Sequence, residues 1–255
     1  MNIKIYPYRR GSKAAKALST ALQAKQIKIA PHISRFRLTS QSIVLNWGNH
    51  TIPSWDNGRG TIINRPEAVA IARDKLYTFD TLRGHVSIPE YALTRTNPQQ
   101  WVNEGHRVYG RMTLTGQGGA GIVIFNPGDT VTECLLYTKN TNCRYEFRVH
   151  VMAGKVIDFQ QKKKRQGFEG GIAGIRNHEN GWVFCREGVV LLDEVAEQAI
   201  KAVEILQLDF GAVDIGYSER HNKAYVYEVN TAPGIEGTSV ERYVKAIKEN
   251  YFGEV

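Results

Sequence analysis

Cysteine is scarce in this chain. Three thiols, Cys134, Cys143 and Cys185, occur in 255 residues, and none has a neighbour at the spacing of a redox or metal pair. Their simplest role is as buried thiols in a reducing compartment. Long apolar runs are also missing, and nothing approaches the ~20 residues a membrane helix needs. The first residues, Met1-Asn2-Ile3-Lys4-Ile5-Tyr6-Pro7, lack the apolar centre of a signal peptide, so a cytoplasmic protein is expected. Without a secretion signal, the match of Asn49-His50-Thr51 to a glycosylation acceptor carries no weight. Acids are outnumbered, with 25 Asp and Glu against 33 Lys and Arg, a net charge of +8. That surplus favours an anionic partner: a nucleotide, an acidic small molecule, an acidic peptide or nucleic acid. What remains is ordinary globular material, 42% hydrophobic and 23% charged.

Residues 2–6 alternate like a strand, and 12–25 read as a helix with Ser12 as N-cap. Strands are expected at 27–30 and 42–47, which makes a compact α/β start, a reduced Rossmann-like lobe. A loop with Pro53, Asn57, Gly58 and Gly60 follows. Pro66 opens one helix that contains Lys75 and ends at Gly84, with Ala68, Ile71, Leu76 and Phe79 at near-helical spacing. Residues 88–93 read as extended, and Thr96-Asn97-Pro98 begins a short helix. Strands at 107–114 and 122–125 flank a glycine-rich turn, and 130–138 forms another strand. A hairpin at 145–151 and 155–160 leads into the basic run Lys162-Lys163-Lys164-Arg165, and helices are expected at 191–206 and 241–248.

The most informative stretch is near the C-terminus. Ala212-Val213-Asp214-Ile215-Gly216 and Tyr225-Val226-Tyr227-Glu228-Val229-Asn230 read as two strands joined by a polar loop near residue 220. Residues two apart on a strand share a face, so Glu228 and Asn230 point together and the hairpin brings Asp214 to them. Two carboxylates and an amide oxygen form an all-oxygen set. Such a set suits a hard divalent cation that keeps waters and completes its shell with phosphates. The competing reading is a surface hairpin with scattered acids, but carboxylates within apolar strands are costly unless paired or metal-bound.

Gly116, Gly118 and Gly121 have dinucleotide-loop spacing, but that fingerprint needs a following helix and an acid about 20 residues on. Here Ile122-Val123-Ile124-Phe125 reads as a strand, and no acid lies at that distance. No Gly-Lys-Ser/Thr closes a Walker loop either. What remains is a glycine hairpin tip, Gly116 to Gly121 with Gly119 inside it: a flap over phosphates or a merely mobile turn. Arg111 before it is a phosphate contact or a solvated arginine. Glu146 and Arg148 share a strand face, as a ribose acceptor beside a substrate contact or as a plain ion pair.

In this order the pieces resemble the ATP-grasp superfamily, most of all its carboxylate–amine ligases: D-alanine–D-alanine ligases, glutamate-adding ligases of ribosomal proteins, and small phage and bacterial members. The resemblance covers roughly residues 61–240 and is most specific in Glu228-x-Asn230-Thr-x-Pro-Gly. It implies an α/β chain with α+β subdomains: a short Rossmann-like lobe (1–62), a central subdomain with the flap (63–138) and a C-terminal subdomain with the metal site (139–255). It further implies two magnesium ions, with manganese as an alternative, on Asp214, Glu228 and Asn230. ATP would meet Lys75, Arg111, the flap glycines, the backbone of Leu136, Tyr137 and Lys139, Glu146 at the ribose, and Lys162 or Lys163 at the γ-phosphate. Arg148, Arg176, Arg165 and Ser239 are candidate substrate contacts, and Ser239 is equally an N-cap for the last helix. Two features depart from the pattern. Ala212 stands where many such ligases carry an arginine, and the N-terminal lobe is short. The implied activity joins a carboxylate to the amine of an amino acid, peptide or protein tail through an acylphosphate. A nucleotide-binding module without turnover and a nucleic-acid binder are the alternatives, the latter weakened because no aromatics interleave with the basic run.

Overall fold

The computed structural model describes residues 2–29, 34–115, 121–172 and 174–253. Strands β1 (Ile3–Pro7), β2 (Lys25–Gln26), β3 (Ile43–Trp47) and β4 (Thr61–Ile63) form a parallel sheet in the order β2-β1-β3-β4. Helix α1 (Lys13–Ala21) follows β1, and the Ser12 hydroxyl accepts from the Ala15 N–H at 3.3 Å, as an N-cap should. The second strand lies slightly earlier than the periodicity predicts, at 25–26, and Ala30 falls outside the described residues.

One helix is expected across 66–84, and two are found: α2 (Pro66–Arg73) and α3 (Lys75–Leu82). The break is Asp74, whose backbone is extended and whose carboxylate accepts from the N–H groups of Leu76 and Tyr77 at 2.9 and 3.1 Å. An aspartate that can satisfy the orphan donors of a new first turn competes with helix continuation. The restart puts Lys75 at the first position of α3, where its side chain turns inward, 8% exposed.

A second sheet is antiparallel, in the order β5-β8-β6-β7. It comprises β5 (Tyr91–Ala92), β6 (Val108–Arg111), β7 (Ile122–Phe125) and β8 (Leu136–Lys139), with α4 (Thr96–Asn103) packed on it. The strand expected over 130–138 is thus confined to its last part. The third sheet is also antiparallel, ordered β11-β10-β9-β12-β13. Its strands are β9 (Tyr145–Met152), β10 (Lys155–Lys164), β11 (Trp182–Cys185), β12 (Phe210–Ser218) and β13 (Lys223–Asn230). Two further helices, α5 (Asp193–Ile205) and α6 (Thr238–Phe252), complete the chain.

Alternation gives the third sheet two unlike faces. Phe147, Val149, Val151, Val213, Ile215, Val226 and Val229 are buried against Val195, Ala199 and Val203 of α5 and Val69 of α2. Each such aliphatic contributes roughly 1.5–3 kcal/mol by leaving water. The opposite face carries the polar residues of β9, β12 and β13. Its far end is closed by Trp47, Phe210 and Tyr243, with Trp47 stacked on Phe210 at a centroid distance of 5.2 Å.

The parallel sheet is tied to the third sheet through Asn64. Its side chain accepts from the N–H groups of Asp209 and Phe210 at 2.8 and 3.0 Å and donates to Phe210 O at 2.9 Å. The residue is fully buried with φ at +61°, a backbone region that asparagine tolerates better than most residues. Among the described residues no helix is long and apolar enough to cross a membrane.

Candidate functional site

The hairpin expected near residue 220 is present: β12 and β13 pair antiparallel around a short 3-10 turn at Glu219–His221. Asp214 lies directly opposite Glu228, and Ala212 opposite Asn230. On the other side of β12, Asp214 pairs with Arg148 and Gly216 with Glu146 of β9. Three neighbouring strands therefore bring Glu146, Arg148, Asp214, Glu228 and Asn230 to one face.

Strict alternation fails once, usefully. The register passes from Asp214–Glu228 to Ile215–Val226, so Tyr227 is an extra residue, a β-bulge. Val226 consequently joins Val229 in the core, although alternation puts it on the Glu228 face. Tyr227 lies instead on the cleft side, where its hydroxyl bonds Thr141 Oγ1 at 2.6 Å. Gly216 makes room for it, since a Cβ there would come within 2.0 Å of the Tyr227 hydroxyl.

This face is one wall of a cleft of about 1210 Å³. The antiparallel β6–β8 sheet and the first turns of α1 and α3 supply the other walls. Its carboxylates are matched by cations. Arg148 grips Asp214 with two hydrogen bonds, 2.7 and 2.8 Å, the bidentate geometry a guanidinium favours. Lys75 pairs with Glu228 and donates to Tyr227 O at 3.3 Å. Lys162 pairs with Glu146 and stands 3.8 Å from Asp214. Phe184 of β11 lies beneath two of these cations, 4.4 Å from Arg148 and 5.5 Å from Lys162.

Burial and charge act in opposition here. Burial pulls the Lys75 ammonium down, only partly offset by Glu228, while that ammonium holds the Glu228 carboxyl well below the usual range. Glu228 keeps about a third of its side chain exposed (35%), so its ionised form is the one that faces the cleft. For Lys162, burial works against the charge but Asp214 and Glu146 outweigh it. Burial pushes the Glu146 carboxyl up despite Lys162. Across the cleft, Arg111 on β6 feels the charge of Glu228, and its buried Nε has no hydrogen-bond partner. A buried guanidinium N–H without an acceptor is rare and suits an anion entering from the cleft.

Most of the site residues expected from sequence converge on this cleft: Lys75, Arg111, Lys139, Glu146, Arg148, Lys162, Arg176, Asp214, Glu228 and Asn230 all line it. Gly116, Gly118 and Gly119 lie outside the described residues. Gly121 lies within them, with φ at +71°. Four residues are placed differently from expectation. Leu136 and Tyr137 are fully buried and do not line the cleft. Their strand is flanked on both edges, with Lys139 N–H bonded to Glu90 O and Asn140 N–H to Arg107 O, both at 2.9 Å. The cleft wall on this side is made by Thr138–Asn142. Lys163 points away from Lys162, as alternation demands, and donates to Glu187 O at 3.2 Å. Ser239 is buried off the cleft, bonded to Asp158 and Arg186. It is not the N-cap of α6 either, which is Gly237.

Sequence reasoning missed Tyr227, Trp182 and Phe184. The apolar run Trp182-Val183-Phe184-Cys185 is the signal that marks β11. Arg176, beyond the basic run, stacks over Trp182 at 5.0 Å and donates to Cys143 O at 2.8 Å.

Among the described residues no group of three or more His, Cys, Asp and Glu side chains is assembled around a metal position. The available oxygen set is mixed: Asp214, Glu228 and the Asn230 amide, whose nitrogen donates to Glu228 Oε1 at 3.1 Å and so leaves its oxygen to accept. Two carboxylates and an amide fit a magnesium ion whose shell is completed by phosphates and water, and not a closed all-protein cage.

No family model matches the chain, and no curated protein matches it. Solved structures do. The ATP-grasp ligase PsnB, complexed with a phosphomimetic variant of its minimal precursor, Mg and ADP, aligns with a TM-score of 0.70 at 12% identity over 98% of each chain. D-alanine–D-alanine ligase from Bacillus anthracis gives 0.63 at 14% identity, over 92% of this chain and 88% of that one. A RimK domain ATP-grasp protein from Sphaerobacter thermophilus gives 0.63 at 13% identity, over 98% of each chain. Identities this low speak for the fold alone. The chain has the ATP-grasp fold, with α+β subdomains behind a short Rossmann-like lobe.

Proposed function

We propose that the protein is an ATP- and magnesium-dependent ligase that joins a carboxylate to an amine through an acylphosphate, with the three lobes 1–62, 63–138 and 139–255 enclosing the reaction. The observation that carries this reading is the pairing of Asp214 with Glu228, Asn230 beside them, opposite a half-buried arginine whose buried Nε–H is unanswered. The aligned ligases support it, and PsnB was solved with Mg and ADP.

The adenine would lie against Thr138–Asn142, with Glu146 accepting from the ribose. Lys162, Lys75 and Arg111 carry the positive charge that a triphosphate needs along one line of the cleft. Asp214, Glu228 and Asn230 would hold magnesium, which supplies charge neutralisation at the transferred phosphoryl group. Arg148 fixes the Asp214 carboxylate by its two-point grip, so the metal ligand does not have to be ordered on binding. A substrate carboxylate oxygen then forms a bond to the γ-phosphorus while the bond to the β-phosphate oxygen breaks, releasing ADP. The amine nitrogen attacks the acyl carbon, phosphate leaves, and the amine loses a proton.

The test is ADP release by the full chain with ATP, magnesium and pools of carboxylates and amines. Acceptor-dependent ADP and phosphate are expected. Nucleotide binding without release for any acceptor would instead favour a binding module, the reading that Ala212 motivates.

A further inference from the structure

The charge of the cleft does not balance, and part of the excess lies away from the proposed phosphate positions. Nine Lys and Arg side chains line it against four carboxylates, Glu146, Asp214, Glu228 and Glu236. Three of the acids are already paired, with Lys162, Arg148 and Lys75. A triphosphate entering with two magnesium ions adds little net charge, because the metals cancel it. The remaining excess calls for a second anionic ligand.

Part of that excess sits on the loop after β1, Tyr8-Arg9-Arg10-Gly11, and the first turn of α1. Arg9 and Lys13 are exposed cleft-lining residues, and among the described residues neither is paired with a carboxylate. Packing fixes where in the cleft they stand. Ala232, two residues beyond Asn230, lies so close to Gly48 that a Cβ there would meet it at 2.6 Å, and the same Cβ would lie 3.6 Å from Tyr8. The loop therefore stands at the Asn230 end of the cleft and not at the Thr138–Asn142 end. Gly11 also lines a second groove of about 370 Å³, bordered by Arg10 and Lys28 with Pro7, Gln26, Ile27 and Ile29. Gly11 lines both hollows, so a track of basic residues runs from outside, along β2, to the cleft beside Asn230. Glu236 is the one carboxylate in the cleft not paired among the described residues.

We propose that this track binds an acidic polypeptide segment. Its carboxylates would be read by Arg10 and Lys28 outside and by Arg9 and Lys13 within, which delivers one substrate group to the metal end of the cleft. The proposal rests on the ligase reading above and narrows its substrate class. A chain fits better than a free dicarboxylic acid because the cations extend along two adjacent hollows. Clusters of Arg and Lys are a common means of recognising acidic motifs.

The test is fluorescence anisotropy of a labelled Glu-rich decapeptide on the full chain at two salt concentrations, with the ATP–magnesium Kd measured alongside. Expected are binding that weakens with salt, little binding of a Gln-rich control, and roughly tenfold weaker binding for Arg10→Glu and Lys28→Glu. Neither variant touches the proposed nucleotide site, so the ATP–magnesium Kd should stay unchanged. Equal binding of the Gln-rich peptide, or no effect of either variant, would overturn the proposal. So would displacement by free glutamate at the same concentration as peptide. Tighter binding of a single-stranded RNA oligomer with the same sensitivity to the variants would also overturn it, in favour of a nucleic-acid surface. If ATP and magnesium fail to bind at all, the ligase reading is what fails, whatever the peptide does.

Discussion

Two buried polar side chains carry more of the structure than their size suggests. Asn64 satisfies three backbone groups at the start of β12 and does so at positive φ. Asn64→Ala leaves buried N–H and C=O groups unanswered and puts a poorly suited residue in the left-handed region. We expect a loss of about 2–4 kcal/mol in urea denaturation; a loss within error of zero would show that water replaces the side chain. His150 is buried on β9, its Nδ1 3.0 Å from the Tyr243 hydroxyl and its Nε2 without a partner. Burial, reinforced by Arg148, lowers its pKa to about 4. The folded form thus resists a proton that the unfolded chain accepts near pH 6.5. Its contribution is complete above that pH and is lost as pH falls toward about 4, on the order of a few kcal/mol in all. Asp158, whose carboxyl is held low by Arg186 and Ser239 against its own burial, acts in the same direction. Stability measured at pH 7 and pH 5 should show the fall, and the His150 imidazole should stay neutral by NMR at pH 5.5; a normal titration near 6.5 would refute it.

Elements show how the sequence was legible and where it was not. The β12–β13 hairpin could be read because Asp214, Glu228 and Asn230 interrupt apolar strands at a period of two. The β-bulge at Tyr227 could not, because a bulge changes register without changing composition. Only Gly216, where a Cβ would overlap the Tyr227 hydroxyl, hints at it. Gly216→Ala should displace Tyr227 and weaken nucleotide binding severalfold while the far-UV spectrum stays native; unchanged affinity would mean that the tyrosine does not shape the cleft. The split of one expected helix into α2 and α3 has a local cause, the Asp74 cap. Asp74→Ala should cost about 1 kcal/mol, and by loosening the first turn of α3 it should also weaken the grip of Lys75 on Glu228. Equal stability and equal nucleotide affinity would contradict that. Lys162 and Lys163 could not be told apart in the sequence. The register of β10 against β9 decides which of them faces Glu146.

At the scale of the molecule, the order of elements was readable because each lobe carries its own periodicity. The cleft was less so, because its walls come from segments over two hundred residues apart, from Arg9 to Glu236. The cleft wall falls at Thr138–Asn142 and not at Leu136-Tyr137, because those two side chains are fully buried off the cleft, a property of the packing and not of the local sequence. The central claim is that the oxygen atoms of Asp214, Glu228 and Asn230 hold the metal of a bound nucleotide. Isothermal titration of ATP with and without magnesium measures it directly, on wild type, Asp214→Asn and Glu228→Gln. Lys163→Ala, on the opposite face of its strand, serves as control, and melting curves establish that Arg148 and Lys75 without their partners still leave a folded chain. The account predicts that magnesium tightens ATP binding to wild type and the control, and that each acidic variant loses roughly tenfold or more of that gain. Wild-type magnesium dependence in both folded acidic variants would contradict it.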